Sequence, residues 1–445
     1  MKKRTKLLTL LMAMVLAMGS MTACGGGSDT PATGGDTPSG DAGTQEQVEA
    51  KDIKLTVWAP QEEQTDYSAV DAKYGDHLLK YMCEAFDEAH PEWNIEFDYK
   101  VCSEGDAYSE LSKDAAAGGD VFMFAGDQTA SLVSEGILNP LAGTEEVAAN
   151  NGERAMAAAT VDGMVYGIPF TPNTWFMYYD KSKYTEDEVK SLDTMMAKEI
   201  EGCDYNFSIQ LGNGWYNGGF FYTAGCTVFG PDGTKEDECD FNSANGVEAA
   251  KVMLGLATSK KFLKDDGQGI AIANMKEGKL AAMCSGTWDA ASVKEALGDN
   301  YAATKLPTIT INGEEKQMNS IGDFKYIGVN ANIGDEDKVK AAQALAIWLG
   351  SEQCQLDRFL ARGISPTWAS LAENEAVKAD VATTALALQN QFTVITPATP
   401  KFNSNYWSNM EALGNGMVNG DVNEKNLQKQ LDSVVENIVT DIASN

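Results

Sequence analysis

The large aromatic side chains of this sequence keep a recurring kind of company. Trp58, Trp175, Trp215 with Tyr216, Trp288, and Tyr406 with Trp407 fall where an apolar run ends or a glycine-flanked loop begins. Beside them stand Gln61, Glu62, Asp127, Gln128, Asn173, Asn213 and Asp289. A flat ring covers the apolar C–H face of a sugar, while neighbouring carboxylates and amides take its hydroxyls. The chemistry this set supports is noncovalent capture of a polyhydroxylated ligand. Core packing is the competing explanation for any single ring, and it is the one we adopt for Trp93 and Trp348, which sit in a strand start and a helix stripe.

Other chemistries meet obstacles. There are two histidines. His77 precedes a helix and His90 ends it, and neither has a second ligand or a Ser/Cys partner nearby in sequence, so neither a triad nor a zinc site is expected. The phosphate-loop, dinucleotide and calcium-loop patterns are missing. No metal and no cofactor is therefore expected. With 65 acidic residues some carboxylates will always pair, so composition alone leaves a surface glycoside hydrolase or lyase open. Beyond Cys24 there are seven cysteines and no C-x-x-C. Cys284 and Cys354 lie in apolar runs as buried thiols, and Cys83–Cys102 and Cys203–Cys239 are candidate disulfides.

The elements that must position the aromatics read as an α/β fold. Ile53–Trp58 alternates as a strand, Leu78–His90 is an apolar-striped helix stopped by Pro91, and Asn94–Val101 alternates again. That order opens a parallel sheet. Asp120–Ala125 is a buried strand leaving through Gly126-Asp127-Gln128. Asp162-Gly163 turns a hairpin. Pro172-Asn173 interrupts extended chain before Trp175–Tyr179, Gly322-Asp323-Phe324 precedes the strand Tyr326–Val329, and Gly363–Thr367 is a third interruption. Each reads as a hinge crossing. Asn213–Tyr222 reads as a loop rich in aromatics and glycine, and Phe402–Trp407 as a link between helices. In Asn274–Ala290, Gly278 closes a helix, Leu280–Cys284 is a buried strand, and Ser285-Gly286-Thr287 delivers Trp288 to the strand's carboxyl end, where ligands of open α/β sheets sit.

Residues 1–23 form a signal peptide, with a basic start, an apolar run from Leu7 to Met18 and small residues before Cys24. The apolar run is shorter than the roughly 20 residues a bilayer span needs. Cys24 resembles the acylated cysteine of a bacterial lipobox, which implies a lipid anchor in the bilayer. Residues 24–50 then act as a tether, poor in bulky apolar groups, with ends on the order of 25 Å apart. The formal charge of −31 repels phosphate backbones, and nucleic acid is excluded as a partner.

The run M-K-E-G-K, strand, S-G-T-W at Met275–Trp288 resembles ABC-transporter extracellular solute-binding proteins, in particular the maltose/maltodextrin-binding branch. Val121–Asp127, Ser134–Leu141, Asp162–Pro169, Tyr178–Lys181 and Lys305–Pro307 follow in that family's order. The resemblance covers about residues 53–440. It implies a periplasmic-binding-protein-like fold of two α/β lobes joined by three hinge crossings, with a ligand cleft between. The lobes would be residues 51–172 plus 322–365, and 173–321 plus 366–445. By that resemblance Trp288 is the stacking tryptophan, Trp215 and Tyr216 an aromatic loop, Tyr406 and Trp407 a late aromatic pair, and Asp127 the hydroxyl-binding aspartate. Trp58, Trp175, Gln61, Glu62, Asp289 and Asp323 complete the candidate ligand set. Gln128 stands where the maltose branch has arginine and Asn173 where it has a cleft glutamate, which rearranges the hydroxyl contacts. The implied protein is a monomeric, lipid-anchored oligosaccharide receptor on the extracellular face of the membrane. It would favour maltooligosaccharides, hand them to an ABC permease and perform no chemistry. A receptor of the same fold for a polyamine or peptide is the other alternative.

Overall fold

The computed structural model describes residues 50–75, 77–397 and 399–441. The leader and Cys24 lie outside them.

The chain begins with the strand–helix–strand unit its alternation predicts: β1 (Lys51–Ala59), α1 (Leu78–Ala89) and β2 (Trp93–Val101). β1 and β2 pair in parallel from Lys51 opposite Trp93 to Ala59 opposite Val101. The helix buries Leu79, Met82, Cys83 and Phe86 at helical spacing, and the His77 ring accepts the Lys80 N–H at 3.0 Å to cap its start. β3 (Val121–Ala125) joins the other side of β1. β4 (Ile168–Thr174) belongs to this first sheet, whereas β5 (Phe176–Asp180), one residue later, belongs to a second. That single residue is Trp175, so the passage between sheets falls there, and the expected interruption at Pro172-Asn173 is instead strand, paired with Phe324 and Asp323.

The second sheet adds β6 (Phe207–Ile209), then after helices α2 (Gly214–Thr223) and α3 (Ala244–Thr258) come β7 (Phe262–Lys264), β8 (Ala282–Ser285) and β9 (Tyr301–Thr304), in the order β9-β5-β8-β6-β7. β6, β7 and β8 are parallel and β5 runs against β8. β10 (Ser320–Val329) returns to the first sheet, where it is antiparallel to both β3 and β4. Helices α4 (Glu336–Leu349) and α5 (Glu352–Arg362) follow, then α6 (Val381–Asn390), β11 (Thr393–Ile395), α7 (Pro400–Asn419) and α8 (Leu427–Val439). Each sheet is covered on both faces: Leu55, Val57 and Leu345 pack on one side of the first and Phe122, Phe124 and Tyr326 on the other.

Four further expectations change. The glycine-rich stretch 213–222 is helical as α2, because the Asn213 side chain accepts the Trp215 N–H at 2.9 Å and caps it. Tyr406 and Trp407 lie inside α7, which Thr399 caps and Pro400 opens. The third passage comes later than 363–367. Thr367 and Trp368 give their N–H groups to the Gln355 side chain at 2.7 and 3.0 Å, which keeps them on α5. The chain reaches the second sheet only with α6, which packs on β9 and β5. All seven described cysteines are free, so neither candidate disulfide is formed. Among the described residues no helix is long and apolar enough to cross a membrane.

Candidate ligand cleft

Because β6, β7 and β8 are parallel, their carboxyl ends deliver Gln210, Asp265 and Ser285 to one edge of the second sheet. Ser285 donates its hydroxyl to Asp289 at 2.6 Å. Burial pushes the Asp289 carboxyl above its usual range against that bond, and burial raises Asp265 as well, with Asp289 adding to the effect. The Tyr216 hydroxyl reaches the same Ser285. Trp288 stands over this edge with 43% of its surface exposed. It lies across the backbone of Gly286, where a methyl group would come within 2.1 Å of a ring carbon. Glycine is required there by close approach.

The remaining aromatics form two layers. Trp175 and Tyr406 are fully buried and Tyr216 nearly so. The Trp175 indole donates to the Trp215 carbonyl at 3.0 Å and its ring lies 5.1 Å from Tyr216. Tyr406 stacks on Phe402 at 4.4 Å and donates to the Gly214 carbonyl at 3.3 Å. This floor carries Trp215 and Trp407, which are half-buried with ring centres 6.0 Å apart.

From Trp407 the site continues into the first lobe. The Trp407 indole reaches the Asp127 carboxyl, and Asn403 on the same helix donates to the Asp127 carbonyl at 2.6 Å. Asp323 accepts the Asp127 N–H at 3.2 Å and the Asn173 amide at 2.6 Å. Burial pushes Asp127 up to about 6, opposed by its hydrogen bonds, and burial with the Asp127 charge holds Asp323 well above the ordinary aspartate range. A contiguous chain therefore links Asp289, Ser285, Tyr216, Trp175, Trp215, Trp407, Asp127, Asp323 and Asn173.

Four sequence candidates stand apart from it. Gln128 follows Asp127 but points inward, accepting the Tyr108 N–H at 2.9 Å and donating to the carbonyls of Glu104 and Gly105. Its polar atoms are committed to backbone. Trp58 packs beside Phe122 and over Gly119 in the first lobe, and its indole nitrogen is buried without a partner among the described residues. Gln61 and Glu62 are exposed on a 3-10 turn after β1. That turn is fixed from below by Glu63, whose carboxylate receives Arg358 at 3.0 Å and also Arg362. Asp265, Gln210 and Ser285 were missed. Their signal was available, since each follows or ends a short apolar strand of the parallel set.

A concavity of about 910 Å³ lies elsewhere, between α4, α5 and the segment holding Trp368. Trp348 there donates to the Met82 carbonyl at 3.0 Å and Trp368 is buried. Among the described residues no group of three or more His, Cys, Asp or Glu could hold a metal ion.

Residues 81–385 match the family of bacterial extracellular solute-binding proteins. The galactooligosaccharide-binding protein of Bacillus subtilis (strain 168) is 28% identical over 379 residues, covering 80% of this chain and 87% of the relative. The maltodextrin-binding protein of the same organism is 30% identical over 220 residues, 46% of this chain and 52% of the relative. A structure solved with acarbose is 36% identical, with a TM-score of 0.79 over 86% of this chain and 98% of that one. A ligand-free maltodextrin-binding protein from L. casei BL23 is 26% identical, with a TM-score of 0.75 over 87% and 99%. These are binding proteins rather than enzymes. Two sheets bridged at the cleft and a family match spanning most of the described residues agree: the chain belongs to the bacterial extracellular solute-binding proteins.

Proposed function

We propose that this chain is the lipid-anchored extracellular receptor of an ABC importer and that it captures oligosaccharides, maltooligosaccharides foremost, by closing two lobes around them. The observation that carries this reading is the unbroken chain from Asp289 through Trp215 and Trp407 to Asp127, in which a run of aromatic rings is flanked at each end by hydroxyl-accepting carboxyls. A solute with stacked apolar faces and hydroxyl rims fits that arrangement. Trp288 supplies one more platform. Anchoring through Cys24 and action as a monomer without chemistry are parts of the same proposal. The lipoprotein names of the maltooligosaccharide-binding relatives from Streptococcus pneumoniae support the anchor.

Capture needs differential affinity for the closed state. Micromolar dissociation corresponds to about 8 kcal/mol, within reach of a few stacked rings and hydrogen bonds. The galactooligosaccharide-binding relative matches more of this chain than the maltodextrin-binding one does, which favours galactooligosaccharides as the second ligand class. The deciding experiment titrates purified protein with maltotriose, maltotetraose, acarbose, galactooligosaccharides and spermidine, followed by thermal melting and calorimetry. Stabilisation by maltooligosaccharides with the sugar recovered intact is expected. Stabilisation by spermidine alone, or the appearance of cleavage products, overturns the reading.

A further inference from the structure

The Asp127 and Asp323 carboxyls meet in a water-poor pocket where β10 passes between the sheets. Asp323 is 3% exposed. One of its oxygens takes the Asn173 amide and the other the Asp127 N–H, and its carboxyl also lies against that of Asp127. Both of its oxygens are thereby engaged inside the protein. Two adjacent carboxylates cannot both ionise cheaply, and a single proton between them converts repulsion into a hydrogen bond.

We infer that Asp323 is a positioning residue for sugar capture: it holds Asp127 in its ligand-facing pose by sharing one proton with it, which confines capture to the pH window in which the pair carries that proton. The inference rests on the oligosaccharide reading above. A sugar hydroxyl bonds about twice as strongly to an ionised Asp127 as to a neutral one, so protonating both acids weakens the acceptor. Ionising both breaks the carboxyl–carboxyl bond that fixes its pose.

The surroundings leave the proton to this pair. Lys325 on the same strand is engaged by Glu104 at 3.2 Å. Tyr326 is buried and gives its hydroxyl to the Ala155 carbonyl at 2.7 Å. Arg154, which lines the cavity beside Asp323, spends its guanidinium on the carbonyls of Asn390 and Thr393. From α7 only the uncharged Asn403 and Trp407 face Asp127.

The test is the pH profile of maltotriose affinity by calorimetry. The wild type should bind about tenfold more weakly at pH 5 than at pH 7, and weaken again at the alkaline end. Asp323→Asn removes the second acid and with it the shared proton. Burial of Asp127 remains, so the acid limb should persist within about twofold of the wild type, while the alkaline limb should vanish. A wild-type profile flat from pH 5 to 7, or an Asp323→Asn profile that keeps the alkaline limb, overturns the inference. A second measurement uses only the wild type. At pH 6 binding should release about half a proton, read from enthalpies in two buffers of different ionisation heat. Release of none overturns it equally. Absence of sugar binding at any pH would instead sink the function itself, so the two failures are distinct.

Discussion

Trp288 and Trp175 are the same residue type in similar sequence settings, yet they do opposite jobs. One is 43% exposed over a strand end, and the other is fully buried with its indole nitrogen tied to the Trp215 carbonyl. Trp288→Ala should therefore abolish maltotriose-induced stabilisation while shifting apo stability by no more than about 0.5 kcal/mol. Trp175→Ala should cost about 3–5 kcal/mol before any ligand is added. Urea unfolding with and without sugar separates the two. A large apo loss for Trp288→Ala would return that ring to the core. Trp175, Trp215, Tyr216, Tyr406 and Trp407 adjoin one another while Trp58 stands apart, and sequence pattern could not sort platform from floor. Tyr216, Tyr406 and Trp175 are buried by residues far away in the chain, and burial by distant segments leaves no local mark. Gln128 is the clearest instance. It sits beside Asp127, but three backbone groups from 104, 105 and 108 claim it.

Among the elements, α2 is the one that local pattern hides. Gly218 and Gly219 lower helix propensity by about 1 kcal/mol each. Tertiary approach outweighs that: a methyl group at Gly218 would lie 1.9 Å from the Tyr406 hydroxyl, and one at Gly219 2.5 Å from the Asn319 carbonyl. The turn bearing Gln61 and Glu62 is likewise held from afar, since the arginines that pin Glu63 are on or at the end of α5. Burial alone would raise the Glu63 carboxyl, but Arg358 and then Arg362 outweigh burial and hold it below the usual glutamate range. Glu63→Ala strands two buried guanidinium groups and should cost about 3–5 kcal/mol at pH 7, read as a lower urea midpoint. A depressed folded-state value gives stabilisation that is complete above the ordinary glutamate value and fades as pH falls through the lowered one. The gap between wild type and variant should accordingly narrow on acidification. A gap independent of pH would mean that the ion pair is not its source.

At the scale of the molecule, the two-sheet plan was legible because strand, helix and strand alternate, and Pro172-Asn173 and Gly322-Asp323 lie close to the passages although they run inside β4 and β10 and do not break them. The third passage was displaced because Pro366 looks like a break, while the Gln355 side chain holds the chain beyond it on α5. What the whole chain adds is its field. A formal charge of −31 attracts any cation, so a polyamine receptor and an oligosaccharide receptor built on this cleft must respond differently to salt. A neutral sugar is held by stacking and short hydrogen bonds, which ions screen little, whereas a polycation is drawn by the summed field of exposed charges, whose reach shrinks as the Debye length falls. Raising sodium chloride from about 50 to 500 mM should leave maltotriose affinity within about twofold, and it should weaken any spermidine binding by more than about tenfold. Small-angle scattering in the same buffers adds the conformational half of the argument. Maltotriose should contract the radius of gyration equally at both salt levels, because closure is driven by contacts inside the cleft. A contraction that disappears in high salt would mean that surface charge, and not the aromatic chain between Asp289 and Asp127, pulls the lobes together.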